Sequence, residues 1–187
     1  MSQRKKLRKQ NKIFKRSQTL YKGKLLHLTG EEFRFSSGKR MLRETIRHPG
    51  SCAIIPVLPG QKVILIRQYR SSVKKTLWEI PAGTLEKGEN PRTCAARELI
   101  EETGYKSQHL MKLGTFYTSP GFCTEKMHLF LATALTHVSQ HLEEDETIKP
   151  RLFRLETAKK MVQRGSIQDA KTIIGLSFLP NPFKIKR

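Results

Sequence analysis

Glu98, Glu101 and Glu102 stand within five residues of one another, directly after Arg97. On a helix Glu98 and Glu102 share a face as an i,i+4 pair, and Glu101 lies beside them at i+3. Three carboxylates crowded together repel, so something positive must offset them. Hard oxygen donors at this spacing suit Mg²⁺ or Mn²⁺. Arg97 is four residues before Glu101 and within reach of Glu89, a pairing that would tie the preceding loop to the helix. The plain alternative for an isolated Glu-x-x-x-Glu pair is a solvated acidic face. Two features weaken it here. The preceding loop carries Gly83 and Gly88, which permit tight backbone turns, and the carboxylates sit in a chain with 36 Lys and Arg against 16 Asp and Glu.

Carboxylates that act together need a rigid carrier. Asn90 is a ready N-cap, Pro91 fits the first helical position and Gly104 fits the C-cap, so a helix is expected over Pro91–Thr103. The surroundings read mostly as strands. Phe33 and Phe35 alternate with polar residues, Ser36-Ser37-Gly38-Lys39 makes a turn, and Met41 to Ile46 returns as the second arm of a hairpin. Residues 53–58 and 63–66 are apolar runs split by Pro59-Gly60, and a short strand over 77–80 ends at Pro81. Residues 110–117 and 127–134 read as strands, and 156–164 and 169–178 as helices stopped by Gly165 and Pro180. The expected class is α/β (α+β), a mixed sheet between helices.

Length, 187 residues, suits one domain with a small accessory region. Residues 1–18 read as a basic, disordered tail, because Arg4, Lys5, Lys6, Arg8, Lys9, Lys12, Lys15 and Arg16 precede any acid. Residues 19–50 form a β region and 51–180 the main domain. The net charge of +20 steers anions toward the chain and suits a phosphate-bearing substrate, nonspecific RNA or a membrane surface. No apolar run approaches the roughly 18 residues of a membrane span, and no signal-peptide core follows the basic start, so a cytoplasmic protein is expected. Cys52, Cys94 and Cys123 have neither zinc-ligand nor redox-motif spacing and read as free thiols in a reducing compartment.

The stretch from Gly83 to Tyr105 resembles the Nudix box. Gly83 is followed after five residues by Glu89, and after seven more by Arg97-Glu98-Leu99-Ile100-Glu101-Glu102, then Gly104 and Tyr105. The resemblance implies the Nudix fold, a mixed sheet sandwiched between helices, with the box as loop–helix–loop. It implies a divalent metal, Mg²⁺ or Mn²⁺, held by Glu98, Glu102 and often Glu101, with the backbone carbonyl of Ala82. The implied reaction is attack of water on a pyrophosphate, with Arg97 and Glu101 counted in the catalytic set. A non-catalytic binding module is the contrasting reading, and the intact box argues against it.

The flanks resemble the ADP-ribose pyrophosphatase subgroup over roughly residues 20–179. Leu77-Trp78-Glu79-Ile80-Pro81-Ala82-Gly83 leads into the box as it does there, and Pro120 lies 16 residues after Gly104, a marker of that subgroup. By the same analogy Arg70, in Ile66-Arg67-Gln68-Tyr69-Arg70, contacts a phosphate or ribose, with a structural ion pair as the alternative. The subgroup's general base often lies on a mobile acidic loop. Here Glu143-Glu144-Asp145-Glu146 is the acidic cluster outside the box, and Glu146 aligns best. The subgroup stacks adenine between aromatics near the N-terminal region, for which Phe33 and Phe35 are the candidates, with a half-buried strand as the alternative; Trp78 reads as core. A homodimer with exchanged N-terminal strands is carried over, with no membrane partner. ADP-ribose is the expected substrate; GDP-mannose or another nucleotide sugar, and RNA held by the basic tail, are the alternatives.

Overall fold

The computed structural model describes residues 12–24, 26–140 and 148–180. Backbone contacts divide the chain into two units, residues 1–49 with 117–126, and residues 50–116 with 127–187.

The first unit is a three-stranded antiparallel sheet, β1 (Lys12–Lys22), β2 (His27–Phe35) and β3 (Arg40–Arg47), in that order. The expected hairpin is β2–β3: Phe35 N–H donates to Lys39 O at 2.8 Å across a turn whose Gly38 takes φ 84°. β1 corrects the reading of residues 1–18 as tail, because the strand begins at Lys12 and pairs Lys12 with Phe35 through Gln18 with Gly30. Like-charge repulsion would have frayed this segment, but β2 supplies both a backbone ladder and a carboxylate. Glu32 lies 3.2 Å from Arg16 and 3.7 Å from Arg40. The segment 117–126 joins this unit through Ile46 N–H to Phe122 O, 2.8 Å, and Thr124 N–H to Ile46 O, 3.0 Å.

The second unit is built on β4 (Ser51–Leu58). It has seven strands: β5 (Lys62–Arg70), β6 (Lys75–Glu79), β7 (Ala82–Thr84), β8 (Tyr105–Tyr117), β9 (Lys126–His137) and β10 (Lys149–Arg154) complete the sheet. The main order is β10-β5-β4-β9-β8, with β6 on β5 and β7 on β4. β4 and β9 are parallel, Ser51 beside Met127 through Pro56 beside Ala132, while β4 meets β5 and β7 antiparallel.

Among the described residues three helices cover this sheet: α1 (Pro91–Thr103), α2 (Leu155–Gln163) and α3 (Ala170–Phe178). A strand buried on both faces reads as a continuous apolar run, and β4 shows why. Its Cys52 and Ile54 point into one cluster with Cys94, Ala95 and Leu99 of α1, and with Phe130 and Ala132 of β9. Its Ala53 and Ile55 point the other way, to Leu155 and Ala158 of α2 and Leu176 of α3. The alternation of side chains along one strand therefore makes the sandwich, a mixed sheet with helices on both faces. Among the described residues no helix is long and apolar enough to cross a membrane.

The helix read from its caps starts and stops where they predicted. Asn90 Oδ1 accepts from Arg92 N–H at 2.8 Å, and Gly104, at φ 73°, donates its N–H to Ile100 O at 2.8 Å. A Cβ on Gly104 would also stand 3.2 Å from Val138 O and 3.3 Å from Gln140 N. The left-handed backbone and the close contact act in the same direction, so Gly104→Ala is expected to lower the unfolding free energy by about 1–2 kcal/mol. Urea denaturation measures it.

Candidate active site

α1 presents two sides because its residues alternate in chemistry at helical spacing. Cys94, Ala95 and Leu99 are buried against β4 and β9, which leaves Arg97, Glu98 and Glu101 at the rim. Arg97 binds three carboxylates at once. Its Nε and Nη2 each donate to an oxygen of Glu89 at 3.1 Å, and its Nη1 donates to Glu98 Oε1 at 2.8 Å and Glu101 Oε2 at 2.9 Å. The reach to Glu89 expected from spacing is present, and it ties loop to helix. These bonds raise the guanidinium pKa above its ordinary value, the Glu89 hydrogen bond most strongly. The same hydrogen bond, ahead of any other cause, holds the Glu89 carboxyl below the usual carboxylate range.

Glu102 is 3% exposed, and its Oε2 accepts from the backbone N–H of Ala82 at 2.8 Å. Glu98 lies so close to Gly83 that a Cβ there would overlap its carboxylate. The β7 backbone at Ala82 and Gly83 therefore seats both carboxylates. β7 is itself held, since Ala82 pairs with Ala53 and Pro81 O accepts from Ile54 N–H at 2.9 Å. Thus Ala82, Arg97, Glu98, Glu101 and Glu102 come together as one group.

Arg70 is differently placed from the expectation of a substrate contact alone. Its Nε and Nη2 are spent on Glu79 Oε1 and Oε2, at 2.8 and 2.7 Å, which makes it an ion pair. Phe33, half-buried on β2, and Pro120, exposed in the 119–123 turn, both belong to the first unit. Trp78 packs against the core as expected, edge-on to Phe153 at 5.0 Å. Glu146, with Glu143, Glu144 and Asp145, lies outside the described residues.

Two features were not anticipated. Buried Glu79 also binds Lys171, whose Nζ reaches Asp169 Oδ1 at 3.1 Å. The one available sign was an acid set between the apolar residues Leu77-Trp78 and Ile80. The thiols of Cys52 and Cys94 meet at 3.0 Å within the core, 42 residues apart in sequence. Contact with Cys52, then burial, pushes the Cys94 thiol well up.

A domain model described as NUDIX domain matches residues 47–173. The chain belongs to the Nudix family. A relative from Bacillus subtilis (strain 168), named ADP-ribose pyrophosphatase, is 41% identical over 162 residues, covering 86% of this chain and 88% of the relative. Another, from Bacillus methanolicus and named methanol dehydrogenase activator, is 37% identical over 166 residues, covering 88% and 90%. A crystal structure of an ADP compounds hydrolase superposes with TM-score 0.79 at 23% identity, over 90% of this chain and 92% of that one, and shows the shared fold. This Nudix chain is a hydrolase acting on pyrophosphate bonds, and its family generally uses a divalent metal.

The residues fit such an ion by their donor chemistry. Carboxylates from one helix converge beside a backbone seat that a glycine keeps open, and hard oxygen donors of this kind suit Mg²⁺-like cations. Among the described residues no three His, Cys, Asp or Glu side chains already form a cage. Arg97 draws Glu98 and Glu101 to itself while Ala82 N–H holds Glu102. The guanidinium thus occupies electrostatically part of the role of a bound cation.

Two outcomes follow from this geometry. In Gly83→Ala the new methyl displaces the flexible end of Glu98 rather than backbone, so kcat is expected to fall by roughly 10²-fold with the melting temperature nearly unchanged. A carboxylate whose folded pKa is lowered gives stability that is present above the ordinary range and lost as pH falls through the lowered value. The stability gap between the native chain and Glu89→Gln, read by urea denaturation, should be widest near neutral pH and close as pH falls below about 4.5.

Proposed function

We propose that this Nudix chain hydrolyses nucleotide sugars, with ADP-ribose as the principal substrate, giving AMP and ribose 5-phosphate. The observation that carries the chemistry is the Arg97-centred group, in which Glu98 and Glu101 are aimed by one guanidinium and Glu102 is fixed by the backbone of β7. The substrate class is supported by the relative named ADP-ribose pyrophosphatase, aligned over 86% of the chain.

Glu98, Glu102 and Glu101, with the carbonyl of Ala82, would hold Mg²⁺ or Mn²⁺. Such an ion lowers the pKa of bound water and offsets charge on the phosphoryl oxygens. The chain's own residues do the rest. Arg97 keeps the like-charged carboxylates in register before the substrate arrives, which is preorganisation. A water oxygen bonds to one phosphorus of the diphosphate while its bond to the bridging oxygen breaks, and the bridging oxygen leaves with the other phosphate. Glu146 takes the water's proton in this reading, as the carboxylate of the acidic loop. Arg70 faces a substrate phosphate.

The chain acts as a homodimer in the cytoplasm. The sheet of the first unit supports this: Leu20, Tyr21 and Leu42 are 41%, 58% and 60% exposed, and apolar groups clustered on such a sheet favour a covering partner. The basic N-terminus serves as an adjunct, not as the substrate site.

The test is phosphatase-coupled phosphate release with Mg²⁺ on ADP-ribose, ADP-glucose, GDP-mannose and capped RNA. ADP-ribose is expected to give the highest kcat/KM. Glu98→Gln should lower kcat by ~10³-fold, several kcal/mol of charge stabilisation being lost. Removing residues 1–11, which stops short of β1, should leave turnover of ADP-ribose within about two-fold, since a basic run acts mainly through screened long-range charge. Preference for capped RNA, with turnover lost on that truncation, would overturn the reading.

A further inference from the structure

Arg70 does not stand alone. Its partner Glu79 is 1% exposed and belongs to β6, and Lys171 of α3 approaches the same carboxylate from the helix side. Lys171 is in turn tied to Asp169 at 3.1 Å. Asp169 caps α3, with Oδ2 accepting from Thr172 N–H at 2.9 Å and from Thr172 Oγ1 at 2.5 Å. Thr172 Oγ1 also accepts from Ile80 N–H at 2.8 Å, so the residue after Glu79 is fixed to the same helix turn. Two acids and two cations balance.

The members differ in one respect. The side chains of Glu79, Lys171 and Asp169 are 1%, 11% and 16% exposed, whereas that of Arg70 is 38% exposed. Burying such a network is at best neutral for stability relative to well-packed apolar side chains. What it does provide is a rigid footing for its one solvent-facing charge. Glu79 takes the Nε–Nη2 edge of the guanidinium, which leaves Nη1 outside that pair on a side chain that is 38% exposed.

The footing is coupled to the carboxylate helix. Glu79 precedes Ala82 by three residues, and Ala82 N–H holds Glu102. One short stretch of backbone therefore sets both Arg70 and Glu102. Arg70 is close enough to Glu102 for that charge to help raise its pKa, after the larger effect of the Glu79 hydrogen bond.

We infer that Glu79 is a positioning residue, which with Lys171 behind it presents the outward end of Arg70 to the phosphate oxygens of a nucleoside diphosphate substrate. The inference rests on the nucleotide-sugar reading. Glu79 touches no substrate and acts through Arg70. Burial would push the Glu79 carboxyl up, and the Arg70 hydrogen bond first, then Lys171, hold it below its ordinary value, with Lys171 fixing it from the helix side.

The experiment is steady-state kinetics on ADP-ribose with Mg²⁺ for the native chain, Arg70→Lys, Glu79→Asp and the double variant, with melting temperatures alongside. Both substitutions keep charge but lose the bidentate geometry, a change that is not conservative at such a site. Arg70→Lys is expected to raise KM by about ten-fold, the scale of one charge-assisted hydrogen bond. Glu79→Asp should also raise KM several-fold with kcat within about two-fold, and the double variant should be no worse than Arg70→Lys alone. If Glu79 serves only the fold, Glu79→Asp lowers melting temperature and active fraction, so that kcat falls and KM stays, and the inference is overturned. Should Glu79→Asp not fold, Lys171→Arg carries the test, because it keeps the charge and shifts the footing. An unchanged KM there overturns the inference. A native chain inactive on every nucleotide sugar fails the functional reading instead, and that result is seen before any variant is compared.

Discussion

Three carboxylates on consecutive helical turns repel one another, and the site depends on what cancels that repulsion. Arg97 does so from the same helix, with four hydrogen bonds that also reach the loop residue Glu89. Guanidinium is suited to the task because its donors form a planar fork that a lysine ammonium cannot reproduce. The consequence is geometric as well as electrostatic. The loop before α1 is pinned to the helix's polar rim, so the glycine-bearing turn and the carboxylates keep their register before any metal or substrate binds. Part-buried ion pairs of this kind contribute modestly to stability. Arg97, 29% exposed, is better understood as setting an arrangement than as holding the fold together.

That arrangement stands on β4. Because Cys52 and Ile54 face α1 while Ala53 and Ile55 face α2 and α3, the strand cannot shift by one residue without exchanging its two apolar faces. The pairing of Ala53 with Ala82 then fixes β7, and Ala82 fixes Glu102. The precision of the site thus comes from a buried strand register several residues away from the chemistry. The packing energy of the core is what makes a displaced carboxylate costly.

The local parts of this design were legible in the sequence and the distant parts were not. α1 runs from Pro91 to Thr103 because Asn90, Pro91 and Gly104 act within a turn of the helix they bound. The Arg97–Glu89 contact was legible because loop and helix are contiguous. By contrast the Glu79–Lys171 pair spans 92 residues, and nothing in either neighbourhood names the other partner. The Cys52–Cys94 contact follows only from β4 lying under α1. Charge misled at the N-terminus. A run of lysines and arginines argues for a solvated tail, but the composition of residues 12–18 says nothing of the carboxylate that Glu32 brings across the sheet. Arg70 was found by resemblance, and its bond to Glu79 needed the strand pairing of β5 with β6, where Ile66 sits opposite Glu79.

The excess of positive charge and the acidic site are parts of one electrostatic logic. A chain of net charge +20 attracts polyphosphates, and that attraction alone would bind them without acting on them. One way to turn a bound anion toward hydrolysis is to concentrate positive charge at the phosphorus while leaving room for water. A cluster of glutamates suits this indirectly, because hard oxygen donors gathered together favour a small hard cation over the protein's own lysines and arginines. Arg97 sets how strong that preference is. It offsets enough of the repulsion among Glu89, Glu98 and Glu101 to keep them assembled, while a single monovalent charge leaves the group of three carboxylates with a net negative field. Arg70, outside that group and anchored by its own acid, does not compete for the carboxylates. The two arginines therefore differ in what they hold: Arg97 gathers the acids of the loop and helix, and Arg70 is kept apart from them by Glu79.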